Sequence, residues 1–208
     1  MALDKLTEAY LHELTPERDP LLSEMEEIAR ERNFPIIGPL VGRILYQLTA
    51  LKKARRVFEM GSGYGYSTYW FLRATPPDGV VYYTDGSKEN FELARGFFRR
   101  AELDHKVRME LGDAIEILKR QQFSFDIILN DIDKEFYPTA LPVALKKLKK
   151  GGLLITDNMF WDGDVVAGKS DPATSAIREY TRSLYDSPDL FTTILPVRDG
   201  VAVSLKIA

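Results

Sequence analysis

The chain of 208 residues contains no cysteine. Disulfides, thiolate metal sites and cysteine nucleophiles are thereby excluded, and a reducing compartment is the fitting environment. No uninterrupted apolar run approaches the ~20 residues that cross a bilayer. The opening Met1-Ala2-Leu3-Asp4-Lys5 runs into mixed polar residues without the apolar stretch of a leader. A cytoplasmic protein without a membrane anchor is therefore expected. No strong charge of one sign is present either: the formal net charge is -3. No global field pulls the chain onto nucleic acid or an anionic membrane. The local basic clusters, Lys52-Lys53 with Arg55-Arg56, Arg99-Arg100, and Lys146-Lys147 with Lys149-Lys150, read as solvated helix faces and ends. Internal repeats and low-complexity segments are also missing.

What is present is enough apolar material, 45% of the residues, for one well-packed domain. We expect residues 1–208 to form it, with N-terminal helices over 1–50 and an α/β core over 51–208. Asp19-Pro20 is a cap-then-proline helix start, after which Leu21, Leu22, Met25, Ile28 and Ala29 share one helical face. Asn33-Phe34-Pro35 breaks that helix, and Leu40, Val41, Ile44, Leu45 and Leu48 form the stripe of another.

From residue 55 the pattern alternates. Strands are expected at 56–60, 80–84, 107–111, 125–129 and 153–156, with helices over 66–74, 88–101, 114–121 and most of 135–149 between them. Gly151-Gly152 reads as the stop of the last of these helices. After a further helix near 173–186, the β-rich runs 191–197 and 201–207 are joined by Arg198-Asp199-Gly200, a short-hairpin signal. Five parallel strands and this hairpin make a seven-stranded, mostly parallel sheet with a C-terminal antiparallel hairpin. That differs from the all-parallel six-stranded dinucleotide fold. The stretch 159–172, rich in Gly and Asp, reads as one long irregular loop of the kind that often serves as a lid.

Ligands of open parallel sheets bind beyond the carboxyl ends of the strands. Those ends carry Gly61-Ser62-Gly63-Tyr64-Gly65, Asp85, Asp113, Asp131 and Asp157-Asn158, and Glu59 stands just before the glycines. Any one acid at such a place commonly caps the next helix. A whole set beside a glycine turn points to a ligand. The glycines alternate, allowing a sharp strand-to-helix turn and close approach of a ligand. They depart from the dinucleotide spacing G-x-G-x-x-G, because Tyr66 stands where its third glycine belongs. Asp85 is placed to accept both hydroxyls of a ribose, which a nicotinamide cofactor also offers.

Glu59-Met60-Gly61-Ser62-Gly63-Tyr64-Gly65 resembles the first motif of class I methyltransferases. Gly65-Tyr66-Ser67, Asp131-Ile132-Asp133-Lys134 and Asp157-Asn158 narrow the resemblance to the metal-dependent O-methyltransferases, among them the catechol and caffeoyl-coenzyme A enzymes and many bacterial relatives. It runs from about residue 35 to the C-terminus. It implies a Rossmann-like sheet with helices on both faces and S-adenosylmethionine as cofactor. Cofactor contacts are implied for Ile37, Glu59, Gly61, Gly63, Gly65, Ser67, Asp85, Asp113, Ala114 and Asp131. It also implies a divalent cation on Asp131, Asp157 and Asn158. These are hard oxygen donors that suit Mg²⁺, and also Ca²⁺ or Mn²⁺. Lys134 matches the family's general base. The implied reaction moves a methyl group to the metal-bound hydroxyl of a small catechol-like or phenolic acceptor. A homodimer is implied as well, because the apolar N-terminal helices exceed what one sheet needs to cover.

Two residues depart from the family pattern. Asn130 replaces an apolar residue before the metal aspartate, and Gly86 follows Asp85 where a bulkier residue is usual, which loosens the expected ribose site. Phe160 and Trp161 read either as packing under the loop or as walls for a flat acceptor. Some bacterial relatives methylate 5-hydroxyuridine in transfer RNA, and Pro35-Ile36, Pro188-Asp189 and Pro196-Val197-Arg198-Asp199-Gly200 resemble them. The acidic balance runs against that acceptor. A nicotinamide-dependent oxidoreductase and a non-catalytic binding module are the rivals from other classes.

Overall fold

A computed structural model describes residues 5–16 and 19–208. The opening residues 1–4, read above as lacking an apolar leader, lie outside the described residues. Three helices come first: α1 (Lys5–Leu14), α2 (Pro20–Arg32) and α3 (Gly38–Lys52). Asp19 caps α2 as its sequence predicts, accepting from the Leu21 and Leu22 N–H groups at 3.1 and 3.0 Å. Asn33 ends α2 in the left-handed conformation, φ 48°.

The alternating part follows as β1 (Arg56–Met60), α4 (Tyr66–Ala74), β2 (Val80–Asp85), α5 (Lys88–Arg100), β3 (Val107–Leu111), α6 (Ala114–Arg120), β4 (Phe125–Asn130), α7 (Tyr137–Lys147) and β5 (Leu148–Thr156). Then come α8 (Asp164–Ala167), α9 (Pro172–Asp186), β6 (Leu190–Leu195) and β7 (Val201–Lys206). The seven strands form one sheet in the order β3-β2-β1-β4-β5-β7-β6. β1 to β5 are parallel, while β7 runs antiparallel to both β5 and β6. The expected α/β sheet with its antiparallel hairpin is the observed one.

Strands buried on both faces should read as continuous apolar runs. Val57-Phe58 in β1 and Ile127-Ile128-Leu129 in β4 do so and are fully or almost fully buried. Each such side chain contributes about 1.5–3 kcal/mol by leaving water. Helices α2 to α5 pack with one face of the sheet around Leu45, Phe71 and Phe98. Helices α6, α7 and α9 pack with the other face around Phe58, Ile128 and Tyr180.

Two expectations need correction. The helix expected over most of 135–149 is α7, but the glycine pair does not stop it: it ends at Lys147, and β5 starts at Leu148 rather than 153. Gly151-Gly152 is inside the strand, where the pairing slips between Phe125↔Leu148 and Ile127↔Leu153. The extra residues bulge out, which needs Gly151 at φ 74° and Gly152 with no Cβ, since one there would stand 2.8 Å from the Lys149 carbonyl oxygen. The stretch 159–172 is also not wholly irregular, because α8 forms one turn within it between Gly163 and Gly168. Among the described residues no helix is long and apolar enough to cross a membrane.

Candidate active site

The strand register delivers the site. Met60 at the end of β1 pairs with Thr84 of β2 and Asn130 of β4, and Asn130 pairs with Thr156 of β5. The next residues, Gly61, Asp85, Asp131 and Asp157, therefore leave the sheet along one edge. All four line one cleft of about 1630 Å³. Pockets for a single small molecule commonly measure ~300–1,000 Å³, and this cleft is larger.

Gly61, Gly63 and Gly65 all have positive φ, at 79°, 51° and 92°. The Gly63 N–H donates to Asp85 Oδ2 at 2.9 Å, and the Gly63 carbonyl accepts from the Tyr83 hydroxyl at 2.7 Å. Asp85 also accepts from the Ser87 N–H at 2.8 Å, so it braces the turn from the neighbouring strand end. Burial outweighs these bonds and raises its carboxyl above the ordinary range. Gly86 has open space around the position of a Cβ. Ile37, Ser67, Asp113 and Ala114 also reach the cleft wall. Asp113 combines both roles weighed for strand-end acids: it lines the cleft and caps α6, accepting from the Glu116 N–H at 2.8 Å.

Two of the expected cofactor residues are placed behind the turn instead. Gly65 starts α4, and a Cβ on it would meet the Phe98 ring at 2.5 Å. Its missing side chain serves helix packing. Glu59 is wholly buried and accepts from the Ser67 and Thr68 hydroxyls. It holds the first turn of α4 against β1. Burial raises the Glu59 carboxyl to about 7, against the hydroxyl bonds that lower it. A raised acid binds its proton more tightly when folded, so its contribution to stability is full below about 4.5 and is lost as pH rises through about 7. Glu59→Gln removes this loss. Its stability relative to the parent chain should grow by about 3 kcal/mol between pH 4.5 and pH 8, measured by urea unfolding. An equal difference at both ends of that range would show Glu59 to be ionised throughout.

Beyond the ends of β4 and β5 lies the acidic pair. Asp131 and Asp157 face one another closely enough for the charge of Asp131 to push the Asp157 carboxyl up, after the larger effect of burial. Burial likewise raises Asp131, while Lys134 pulls it back. Lys134 Nζ donates to Asp131 Oδ1 at 3.0 Å and to the Ile132 carbonyl at 3.2 Å. Its ammonium also stands over the rings of Tyr137, at 5.2 Å, and Trp161, at 5.7 Å. Asn158 follows at φ 58° and turns its Nδ2 to Asp199 Oδ2, 3.1 Å away. Among the described residues no three Asp, Glu, His or Cys side chains converge as a cation cage. Two mutually repelling carboxylates and an amide oxygen nevertheless fit a hard divalent cation, with water or ligand oxygens completing the shell.

Three contributors were not singled out as site residues in the sequence. Phe34 crosses the glycine turn, where a Cβ on Gly63 would stand 2.9 Å from its ring. Arg198 lines the cleft and donates from Nη1 to the Ile36 carbonyl at 2.6 Å. Asp199 holds Asn158 and also accepts from the Asp162 N–H at 2.8 Å. Asn33-Phe34-Pro35 signalled a helix break, and Arg198-Asp199-Gly200 a hairpin and part of the resemblance to the transfer-RNA relatives; none of these signals carries a side-chain direction. Phe160 and Trp161 take the packing role considered for them. Phe160 packs on Gly200 and Trp161 on the core cluster of α7 and α9, and both also line the cleft.

Comparison with known proteins agrees with this geometry. Residues 12–207 match the family model described as O-methyltransferase. Caffeoyl-CoA O-methyltransferase 1 of Eucalyptus globulus is 30% identical over 207 residues, covering 93% of this chain and 84% of that one. A methyltransferase from Geobacter sulfurreducens has a solved structure of TM-score 0.88 at 34% identity, covering 100% of this chain and 98% of that one. The O-methyltransferase from Bacillus cereus, solved in complex with SAH, superposes with a TM-score of 0.87 at 27% identity, covering 97% of each chain. With its strand-end acids, its glycine turn and a match over nearly its whole length, the chain belongs to the O-methyltransferase family.

Proposed function

We propose that this chain transfers the methyl group of S-adenosylmethionine to a hydroxyl of a small catechol-like or phenolic acceptor, with a divalent cation held by Asp131, Asp157 and Asn158. The observation that carries this reading is the shared cleft. The glycine turn and Asp85 lie on the same wall system as the paired carboxylates, Asn158 and Lys134. The Bacillus cereus relative, with S-adenosylhomocysteine bound, supports the choice of cofactor.

Bound S-adenosylmethionine supplies a methyl group activated on a sulfonium. A bound cation supplies Lewis acidity that eases ionisation of a hydroxyl. The chain's own residues do the rest. The turn at Gly61 and Gly63 and the Asp85 carboxylate seat the cofactor, and Phe34 and Ile37 close over it. Trp161 offers a flat apolar wall to an aromatic ring. Lys134 Nζ, after releasing one of its own ammonium protons to solvent, takes the hydroxyl proton of an acceptor placed beside the oxygens it contacts. The acceptor oxygen, once negative, would attack the methyl carbon on the sulfonium; the O–C bond would form as the C–S bond breaks and neutral S-adenosylhomocysteine leaves, so the two charges cancel. Little new charge needs stabilising, and the rate depends on alignment and on keeping that oxygen deprotonated.

An acceptor screen read by S-adenosylhomocysteine release tests this. Catechols should turn over with Mg²⁺, and a chelator should remove turnover until Mg²⁺ is restored. Full activity in chelator together with full activity of Lys134→Ala would refute the cation-and-base reading. Turnover of undermodified transfer RNA with none of any catechol would move the acceptor to RNA.

A further inference from the structure

We propose that Asp199, in the turn between β6 and β7, is a positioning residue that sets the polarity of the Asn158 amide and so turns its oxygen toward the cation site; this rests on the cation reading above. A carboxylate has acceptors and no hydrogen, so only the NH₂ side of an amide can face it. Asp199 Oδ2 takes that side of Asn158 at 3.1 Å, which leaves Oδ1 on the side away from Asp199 as a free hard donor. The other carboxylate oxygen is committed as well, accepting from the backbone N–H of Asp162 at 2.8 Å.

The backbone beside it is tied down in the same way. The Phe160 N–H donates to the Asp199 carbonyl at 2.8 Å, and the Met159 N–H donates to the Gly200 carbonyl at 3.0 Å. Asn158, Trp161 and Asp162 all have φ between 50° and 58°, a conformation that non-glycine residues hold only where their surroundings impose it. The hairpin turn is that surrounding. It grips the loop after β5 from residue 158 to residue 162, and its carboxylate faces the Asn158 amide.

Two variants with the same loss of charge separate this role from simple bracing. In Asp199→Asn, the Asp162 N–H is fixed in the backbone and claims the new amide's oxygen. The new NH₂ group then faces Asn158, whose amide must turn its own oxygen to meet it. The Asn158 NH₂ group is left pointing at the cation site. In Asp199→Ala nothing dictates the amide, which is free to present its oxygen. Mn²⁺ binding to the full chain, followed by electron paramagnetic resonance, should weaken by about 10–100-fold in Asp199→Asn. The loss should be clearly smaller in Asp199→Ala, although asparagine is the more conservative change. Adding Asn158→Asp to Asp199→Asn gives the new NH₂ group a carboxylate to donate to and restores an oxygen to the site, so Mn²⁺ affinity should recover. Calorimetry with S-adenosylmethionine should give affinities within about two-fold of the parent for both single variants, a difference of only ~0.4 kcal/mol.

Equal Mn²⁺ losses in the two single variants, or a larger loss in Asp199→Ala, would overturn the proposal. So would parallel loss of S-adenosylmethionine affinity, which marks general loosening. Absence of Mn²⁺ binding in the parent chain would overturn the cation reading and this inference with it.

Discussion

Gly61→Ala should lose about 2–5 kcal/mol of stability and bind S-adenosylmethionine poorly where it remains folded. A Cβ at Gly61 would stand 2.3 Å from the Asp131 carbonyl oxygen and 2.8 Å from its carbon. Both contacts are to backbone, so no side chain can swing aside. The residue also sits at φ 79°, which costs alanine roughly 1–2 kcal/mol before any clash, and overpacking adds about 1–3 kcal/mol. Relief of the clash requires β1 and β4 to part where the Asp131 N–H donates to the Met60 carbonyl at 3.0 Å. The glycine turn and the acidic pair should therefore fail together, although the proposed reaction gives them different ligands. Urea unfolding and calorimetry measure the two effects. Gly86→Ala, one strand away with open space around its Cβ, is the control and should stay within about 0.5 kcal/mol of the parent. Equal tolerance of both changes would mean that β1 and β4 are less tightly joined at their ends than these contacts require.

The second large effect belongs to Lys134. Lys134→Ala should lower kcat by about 10²–10⁴-fold, the usual range for a positioned proton acceptor. Two further measurements identify the cause. If Lys134 takes the acceptor proton, the penalty should shrink for acidic phenols that are already ionised in solution. If it only neutralised Asp131, acceptor acidity would make no difference. Mn²⁺ affinity should hold or improve, because the lysine ammonium occupies an Asp131 oxygen, 3.0 Å away, that a cation also needs. A large fall in Mn²⁺ affinity would instead make Lys134 a structural support of the cation site.

The parts of this architecture that are written locally were legible in the sequence. Strands β1 and β4 are buried on both faces and so appear as short apolar runs, and each functional acid directly follows or ends such a run. A reader who finds the strands has found Asp85, Asp131 and Asp157. Sheet order is a different matter. Nothing in the alternation of residues 201–206 says that β7 lies between β5 and β6. The glycine pair at 151–152 was ambiguous for a similar reason, because a helix stop and a strand bulge ask for the same backbone freedom. Glu59 and Gly65 belong to the motif by position, yet they act on helix α4, since burial turns the first inward and a phenylalanine ring claims the space beside the second. Asp199 was hidden most thoroughly. Asp-Gly in a tight turn is sufficiently explained by the turn itself, and its second use depends on a loop about 40 residues earlier, Asn158 to Asp162.

The place of β7 also bears on how the protein is made. Of the seven strands it is the last in the chain, yet it is an interior strand, and β5 and β6 each wait for it. As the polypeptide leaves the ribosome, β1 to β5 can pair and collect their helices while the outer edge of β5 still presents a row of unsatisfied N–H and C=O groups. Such an edge recruits strands from other molecules. Over the same interval the loop after β5 has no turn to brace it and Asn158 has no carboxylate to orient it. Placement of β7 between β5 and β6 closes the exposed edge and sets the hairpin turn against the loop after β5. A nascent chain that stalls before residue 201 leaves the β5 edge unpaired, and an unpaired edge is a template for strands of other molecules.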